Sequence, residues 1–163
     1  MRFKNSLFWI TAVTGLVLDQ LSKFWVVQNF TLSESWPLWE GVFHLTYVTN
    51  TGAAFSLFSN DGFWLRWLSL GVSLGLMAFA YFGPWMHRWE QAGYGFILGG
   101  ALGNGIDRFA YGKVTDFLDF RLINFAIFNL ADVCINIGIV CLLIATFWHP
   151  SQGTRNPEQD PPK

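Results

Sequence analysis

The sequence predicts an all-α membrane protein of four transmembrane helices, with a small extracytoplasmic antiparallel β-sheet between helices 1 and 2. Three observations lead there. The chain is 52% hydrophobic, 18% aromatic and only 13% charged, a balance that suits lipid rather than water. Four apolar runs, at about residues 7–27, 62–83, 93–111 and 129–148, reach or approach the length of a spanning helix. Each can cross ~30 Å of hydrocarbon. Aromatic residues such as Trp25, Trp64, Trp85 and Trp148 collect at the ends of these runs. Their rings favour the two membrane interfaces.

The first run is longer than the apolar core of a cleavable signal, carries Asp19 and Lys23, and lacks a small-residue cleavage site. It reads as a retained anchor. The stretch that follows, "GVFHLTYVTNTGAAFSLF", alternates and is rich in β-branched and aromatic residues, with turn chemistry at Asn50 to Gly52. This pattern predicts the outer sheet. The second run is almost uniformly apolar. The third begins with small residues and ends polar, and the fourth starts at Asn129. Residues 1–148 therefore form one integral membrane domain. The remainder, 149–163, is Pro-rich and polar and is expected to be a disordered cytoplasmic tail.

Basic residues outside the runs set the orientation. Arg2, Lys4, Arg88, Arg155 and Lys163 fall on one side, against Lys113 and Arg121 on the other. Both termini are expected in the cytoplasm. The net charge of −1 and the absence of a basic patch exclude a nucleic-acid partner. Cys134 and Cys141 lie seven residues apart on one helix. That places them ~10 Å apart along its axis, too far to bridge. His44, His87 and His149 fit no ligand spacing, so no metal is expected.

Polar residues crowd the end of the third run, "GGALGNGIDRFAYGKVTDF". Ionisable groups inside a membrane are costly unless they meet partners, which makes them site candidates. Gly100, Asn104 and Arg108 recur at i, i+4 and i+8, with Asp107 near the same stripe. Asp116 follows in the outer connection. If Asn129 caps the fourth helix, Asp132 sits at its third position, in a variant of the capping box. Asp132, Asp116 and Asn104 then meet at one depth. Two carboxylates in a partly dry cleft share one proton, and the positive helix end favours Asp132 as the ionised partner. Such a pair can activate a water and protonate a carbonyl.

Five blocks, "DQLSK", "TNTGAAFS", "GGALGNGIDR", "VTDFLDF" and "FNLADVCIN", occur in an order that resembles the lipoprotein signal peptidase (signal peptidase II) family, bacterial inner-membrane aspartic peptidases. The resemblance covers about residues 15 to 148. It implies an active site near the outer face of the bacterial inner (cytoplasmic) membrane. The substrate would be a prolipoprotein whose cysteine already carries diacylglycerol, cut just before that cysteine. It implies Asp116 and Asp132 as the catalytic pair, with Asn50, Gly100, Asn104, Arg108 and Asn129 lining the site. No cofactor is implied, membrane lipid is a partner, and globomycin-type cyclic peptides are expected inhibitors.

The residue chemistry is compatible with those roles. Asn50 and Asn129 can donate and accept without adding charge. Asp19 and Lys23, at i and i+4, are expected to pair as structural support, and Arg108 to bond a substrate carbonyl or brace Asp107. The segment "INFAIF" is expected to close over the bound peptide and lipid. The rival reading is a small proton or ion carrier, in which Asp19, Lys23, Asp107 and Asp132 form a relay. A relay requires acids at several depths, whereas all but the Asp19–Lys23 pair cluster near one face, and that pair lies toward the outer end of the first helix. A non-catalytic assembly subunit leaves Asp116, Asn50 and Asn129 without a role.

Overall fold

In the computed structural model, which describes residues 4–52, 63–123 and 125–148, four long helices run up and down beside a three-stranded sheet. The helices are α1 (Ser6–Asn29), α2 (Phe63–Phe82), α3 (Arg88–Tyr111) and α4 (Leu130–Trp148). The strands are β1 (Ser35–Trp39), β2 (Phe43–Asn50) and β3 (Val114–Phe120). The expected tail, the "AAFSLF" end of the alternating stretch, Gly62 at the start of the second run and Asn124 of "INFAIF" lie outside the described residues.

Among the described residues three helices, Ser6–Asn29, Trp64–Phe82 and Leu130–Phe147, are long and apolar enough to cross a membrane. The third helix is as long as the first, at 24 residues, but its glycines and polar residues deny it the same apolar character. It is instead the centre of the bundle and packs against each of the other three. Gly95 and Gly99 admit the backbone of α1, and Gly93 and Gly100 admit α4. Small residues allow this close approach where lipid supplies no hydrophobic drive between helices. The surface is correspondingly apolar: Leu21, Phe24, Tyr81, Leu143 and Phe147 are among the large side chains left exposed. Cys134 and Cys141 are free buried thiols.

The third helix begins five residues before the apolar run, because His87 and Glu90 form a reciprocal capping box at its start. Polar side chains at that end hid the extra turn from a hydropathy reading. The start of α1 is tied down by Asn5, which adopts the left-handed conformation (φ 52) tolerated by Asn. Its buried side chain donates to Ala80 O at 3.0 Å and Pro84 O at 3.2 Å, and accepts from Met86 N at 3.0 Å. Asn5→Ala leaves these groups unpaired, so it is expected to cost about 2–3 kcal/mol. Thermal unfolding in detergent checks this; an unchanged midpoint would show that the tie is dispensable.

The sheet is antiparallel, as expected, in the order β1-β2-β3. Two features go beyond the alternating stretch. Pro37 does not prevent β1 from forming, because an edge strand has spare donors. The third strand comes from the connection between α3 and α4, so the sheet is not confined to the link between the first two helices. Its register with β2 sets Asp116 opposite Val48 and Val114 opposite Asn50. Phe117, Val26 and Phe30 form a buried cluster that seats the sheet on the end of α1. Asp116 is thereby held over the bundle rather than in a free loop.

Candidate active site

Four elements deliver polar side chains to the sheet end of the bundle. Asn104, Asp107 and Arg108 come from the last turns of α3, Asp116 from β3, Asn129 and Asp132 from the start of α4, and Asp19, Gln20 and Lys23 from α1. The expected capping box at the start of α4 is present. Asp132 N donates to Asn129 Oδ1 at 3.1 Å, and Asn129 N donates to Asp132 Oδ2 at 3.2 Å. Both side chains are fixed by the helix they start.

Two amides bridge the carboxyl groups. Asn129, fully buried, donates from Nδ2 to Asp116 Oδ1 at 2.6 Å and to Asn104 Oδ1 at 3.0 Å. Asn104 in turn donates from Nδ2 to Asp132 Oδ1 at 2.9 Å. Asp116 is only 3% exposed, and its carboxyl is pushed up to about 7, first by burial and then by the neighbouring charge of Asp132. Hydrogen bonds from Asn129 and Asn50 and the charge of Lys23 oppose that rise without cancelling it. Loss of water solvation thus outweighs the partners. The carboxyl pair expected from the sequence lies in one connected network.

Asn50 reaches Asp116 from the end of β2 and accepts a hydrogen bond from Gly52 N at 2.9 Å. The Arg108 guanidinium donates to Gly52 O at 3.2 Å and Asn104 O at 3.4 Å, while its Nε is buried without a partner among the described residues. Arg108 is not the brace for Asp107. That carboxylate instead meets Lys23 Nζ at 3.0 Å, Gln20 Nε2 at 3.0 Å and Thr115 N at 3.2 Å. Gly100 is in the network's wall rather than its lumen: a Cβ there would strike Ala131 O and lie 2.7 Å from Ile135 Cγ1.

Asp19 and Lys23 pair at 2.8 Å and are both buried. Asp19 Oδ1 also accepts from Ala131 N at 2.8 Å, and Gly103 leaves just enough room for the carboxylate. Gln20, which the sequence reading passed over, donates to Asp107, to Gly103 O at 3.2 Å and to Asp19 Oδ2 at 3.3 Å. Its signal was its i, i+3 spacing from Lys23, the same geometry that flagged Asp19 at i, i+4.

Beside Asp132 opens a groove of about 600 Å³, lined by Phe125, Phe128, Val133, Ile137 and Val140. Part of the "INFAIF" segment forms its roof, anchored where Phe128 exchanges backbone hydrogen bonds with Leu118 at 2.8 and 3.1 Å. The arrangement sets a pair of carboxyl groups next to an apolar trough.

Known proteins share this chain's sequence and its fold. The family Signal peptidase (SPase) II matches residues 11–148. A lipoprotein signal peptidase of Cyanothece sp. is 68% identical over 99% of this chain and 94% of its own length. That of Microcystis aeruginosa is 67% identical over 91% of this chain and 97% of its own. A solved bacterial membrane enzyme structure superposes with a TM-score of 0.80 at 26% identity, covering 90% of this chain and 91% of its own. A second gives 0.75 at 27% identity, covering 85% and 90%.

Proposed function

The chain belongs to the signal peptidase II family, a family of bacterial membrane peptidases, and we propose that Asp116 and Asp132 form the catalytic pair with which it removes signal peptides from prolipoproteins. The observation that carries the reading is the amide bridge: two carboxyl groups from different elements are joined through Asn129 and Asn104, and one of them is pushed up to about 7. One proton on the pair is then the resting state near neutrality.

In that state Asp116 is the acid and Asp132 the base. Asp132 takes a proton from a water as its oxygen attacks the scissile carbonyl carbon, while Asp116 donates to the carbonyl oxygen. The tetrahedral diol collapses when a proton passes to the leaving amine and the C–N bond breaks. Asn129, Asn104 and Asn50 hold the carboxyl groups in place, and Arg108 supplies positive charge facing both aspartates. The trough beside Asp132 takes apolar substrate. Its chemistry suits the diacylglyceryl chains of a lipid-modified cysteine, with cleavage just before that residue.

All four helices span the bacterial inner membrane in this reading, both termini are cytoplasmic, and the sheet and catalytic pair lie at the outer face. The polar stripe of α3 is compatible with spanning because it faces α1 and α4 rather than lipid. Residues 1–148 act as one peptidase domain. Cyclic peptides of the globomycin type, which present a backbone to the same groups, are expected to compete.

Cleavage by the purified protein in detergent tests the reading, with diacylglyceryl-modified and unmodified precursor compared by mass spectrometry. A cut immediately before the modified cysteine, absent from the unmodified precursor, is expected. No cut in either returns the carrier reading, which proton flux in proteoliposomes would then detect. The rate is also expected to fall as pH rises through about 7, because Asp116 must keep its proton to act as acid. A rate that climbs steadily to pH 9 contradicts that assignment.

A further inference from the structure

The Lys23 ammonium sits among three acceptors: Asp19 Oδ2 at 2.8 Å, Asp107 Oδ2 at 3.0 Å and Asn104 Oδ1 at 3.0 Å. An ammonium has three protons and no acceptor capacity, so all are spent. The Asn104 contact differs from the other two. A side-chain amide can present either its oxygen or its nitrogen to a neighbour, and the two orientations occupy the same volume. Lys23 and Asn129 both donate to Asn104 Oδ1, which leaves Nδ2 as the atom that meets Asp132 Oδ1.

We propose that Lys23 is a positioning residue for catalysis, which fixes the sense of the Asn104 amide so that Asp132 receives a donor rather than an acceptor. This rests on Asp132 being a catalytic base. The pair with Asp19 holds Lys23 in reach, and Gln20 and Asp107 close the far side of the ammonium. The same carboxylate of Asp19 receives Ala131 N, one residue before Asp132. One face of α1 therefore governs both the amide that touches Asp132 and the helix turn that carries it.

Without Lys23, one of the two donors to Asn104 Oδ1 disappears and the sense of the amide rests on Asn129 alone. In the turned state Asn104 Oδ1 faces the Asp132 carboxylate, acceptor against acceptor, and Asp132 loses the donor that holds it.

The test is a double-mutant cycle of Lys23→Met and Asn104→Ala, read as kcat and KM on lipid-modified precursor. Each single variant is expected to lose about 10- to 100-fold in kcat, the range for a hydrogen bond to a charged group, with KM nearly unchanged. The double variant should be no slower than Asn104→Ala alone. Lys23→Gln, which keeps a donor within the cluster, should recover part of the loss in kcat. Multiplying losses with no recovery in Lys23→Gln would show that Lys23 is an ion-pair partner and nothing more. Lys23→Met leaves two carboxylates without their counter-charge, so Lys23→Met with Asp107→Asn, which retains the formal charge of the cluster, serves if the single variant does not fold. An Asp132→Asn enzyme that still cleaves overturns the catalytic assignment itself, a failure distinct from that of the Lys23 cycle.

Discussion

Replacing either aspartate by asparagine is expected to lower cleavage by about 10³-fold or more, the scale of lost general acid or base catalysis. For Asp116→Asn the loss should come with a gain in stability at alkaline pH. Asp116 has a folded-state value of about 7, well above its ordinary carboxylate value. The folded chain therefore binds this proton more tightly than the unfolded chain does. Its contribution to stability is complete in acid and is lost as pH rises from about 4 through about 7, by at most about 4 kcal/mol. Asparagine never ionises and escapes that loss. Thermal unfolding in detergent at pH 8 should place Asp116→Asn several degrees above the parent, with the gap closing toward pH 4. A variant that retains rates within tenfold of the parent removes Asp116 from the chemistry; a gap independent of pH removes the burial of its charge.

Gly100→Ala should damage both stability and rate although the side chain it adds is a single methyl. The new Cβ lies 2.7 Å from Ile135 Cγ1 and runs into the Ala131 carbonyl oxygen, which is backbone and cannot swing away. The two helices must part. Overpacking of this kind costs about 1–3 kcal/mol. Asp132 follows Ala131 directly, so the separation is transmitted to the 2.9 Å contact with Asn104. Displacements on the order of 1 Å reduce rates about 10²-fold. Gly71→Ala is the control, because nothing among the described residues lies within 4 Å of its added Cβ. It should unfold at the parent's temperature or slightly above, as alanine is the better helix former. Equal behaviour of the two variants would show that the α3–α4 contact tolerates expansion.

The parts of this molecule that were legible in the sequence are those encoded within a few residues. Apolar runs marked α1, α2 and α4, and the spacing of Asn129 and Asp132 announced a capping box that the hydrogen bonds reproduce. The spacing of Asp19 and Lys23 announced their pairing. Long-range pairings left no such mark. Lys23 meets Asn104 across 81 residues and Gln20 meets Asp107 across 87, so neither was visible in a local window. The expected brace between Arg108 and Asp107 illustrates the error that adjacency invites. Consecutive residues on a helix point some 100° apart, and Asp107 turned to α1 while Arg108 turned to Gly52. The third strand was missed for the same reason, since its partner strand ends 64 residues before it begins by register of Asn50 with Val114.

The contact between Asp19 and Ala131 spans 112 residues and joins the first helix to the last. During synthesis, α1 leaves the ribosome long before α4 exists, and every bond that Asn104 and Asp116 make through Asn129 waits for the same late arrival. A nascent chain that has inserted only three helices holds Asp116 without Asn129 or Asp132. If these two aspartates are the catalytic pair, proteolytic competence waits until translation is nearly finished and the fourth helix has docked, and a truncated product is inert.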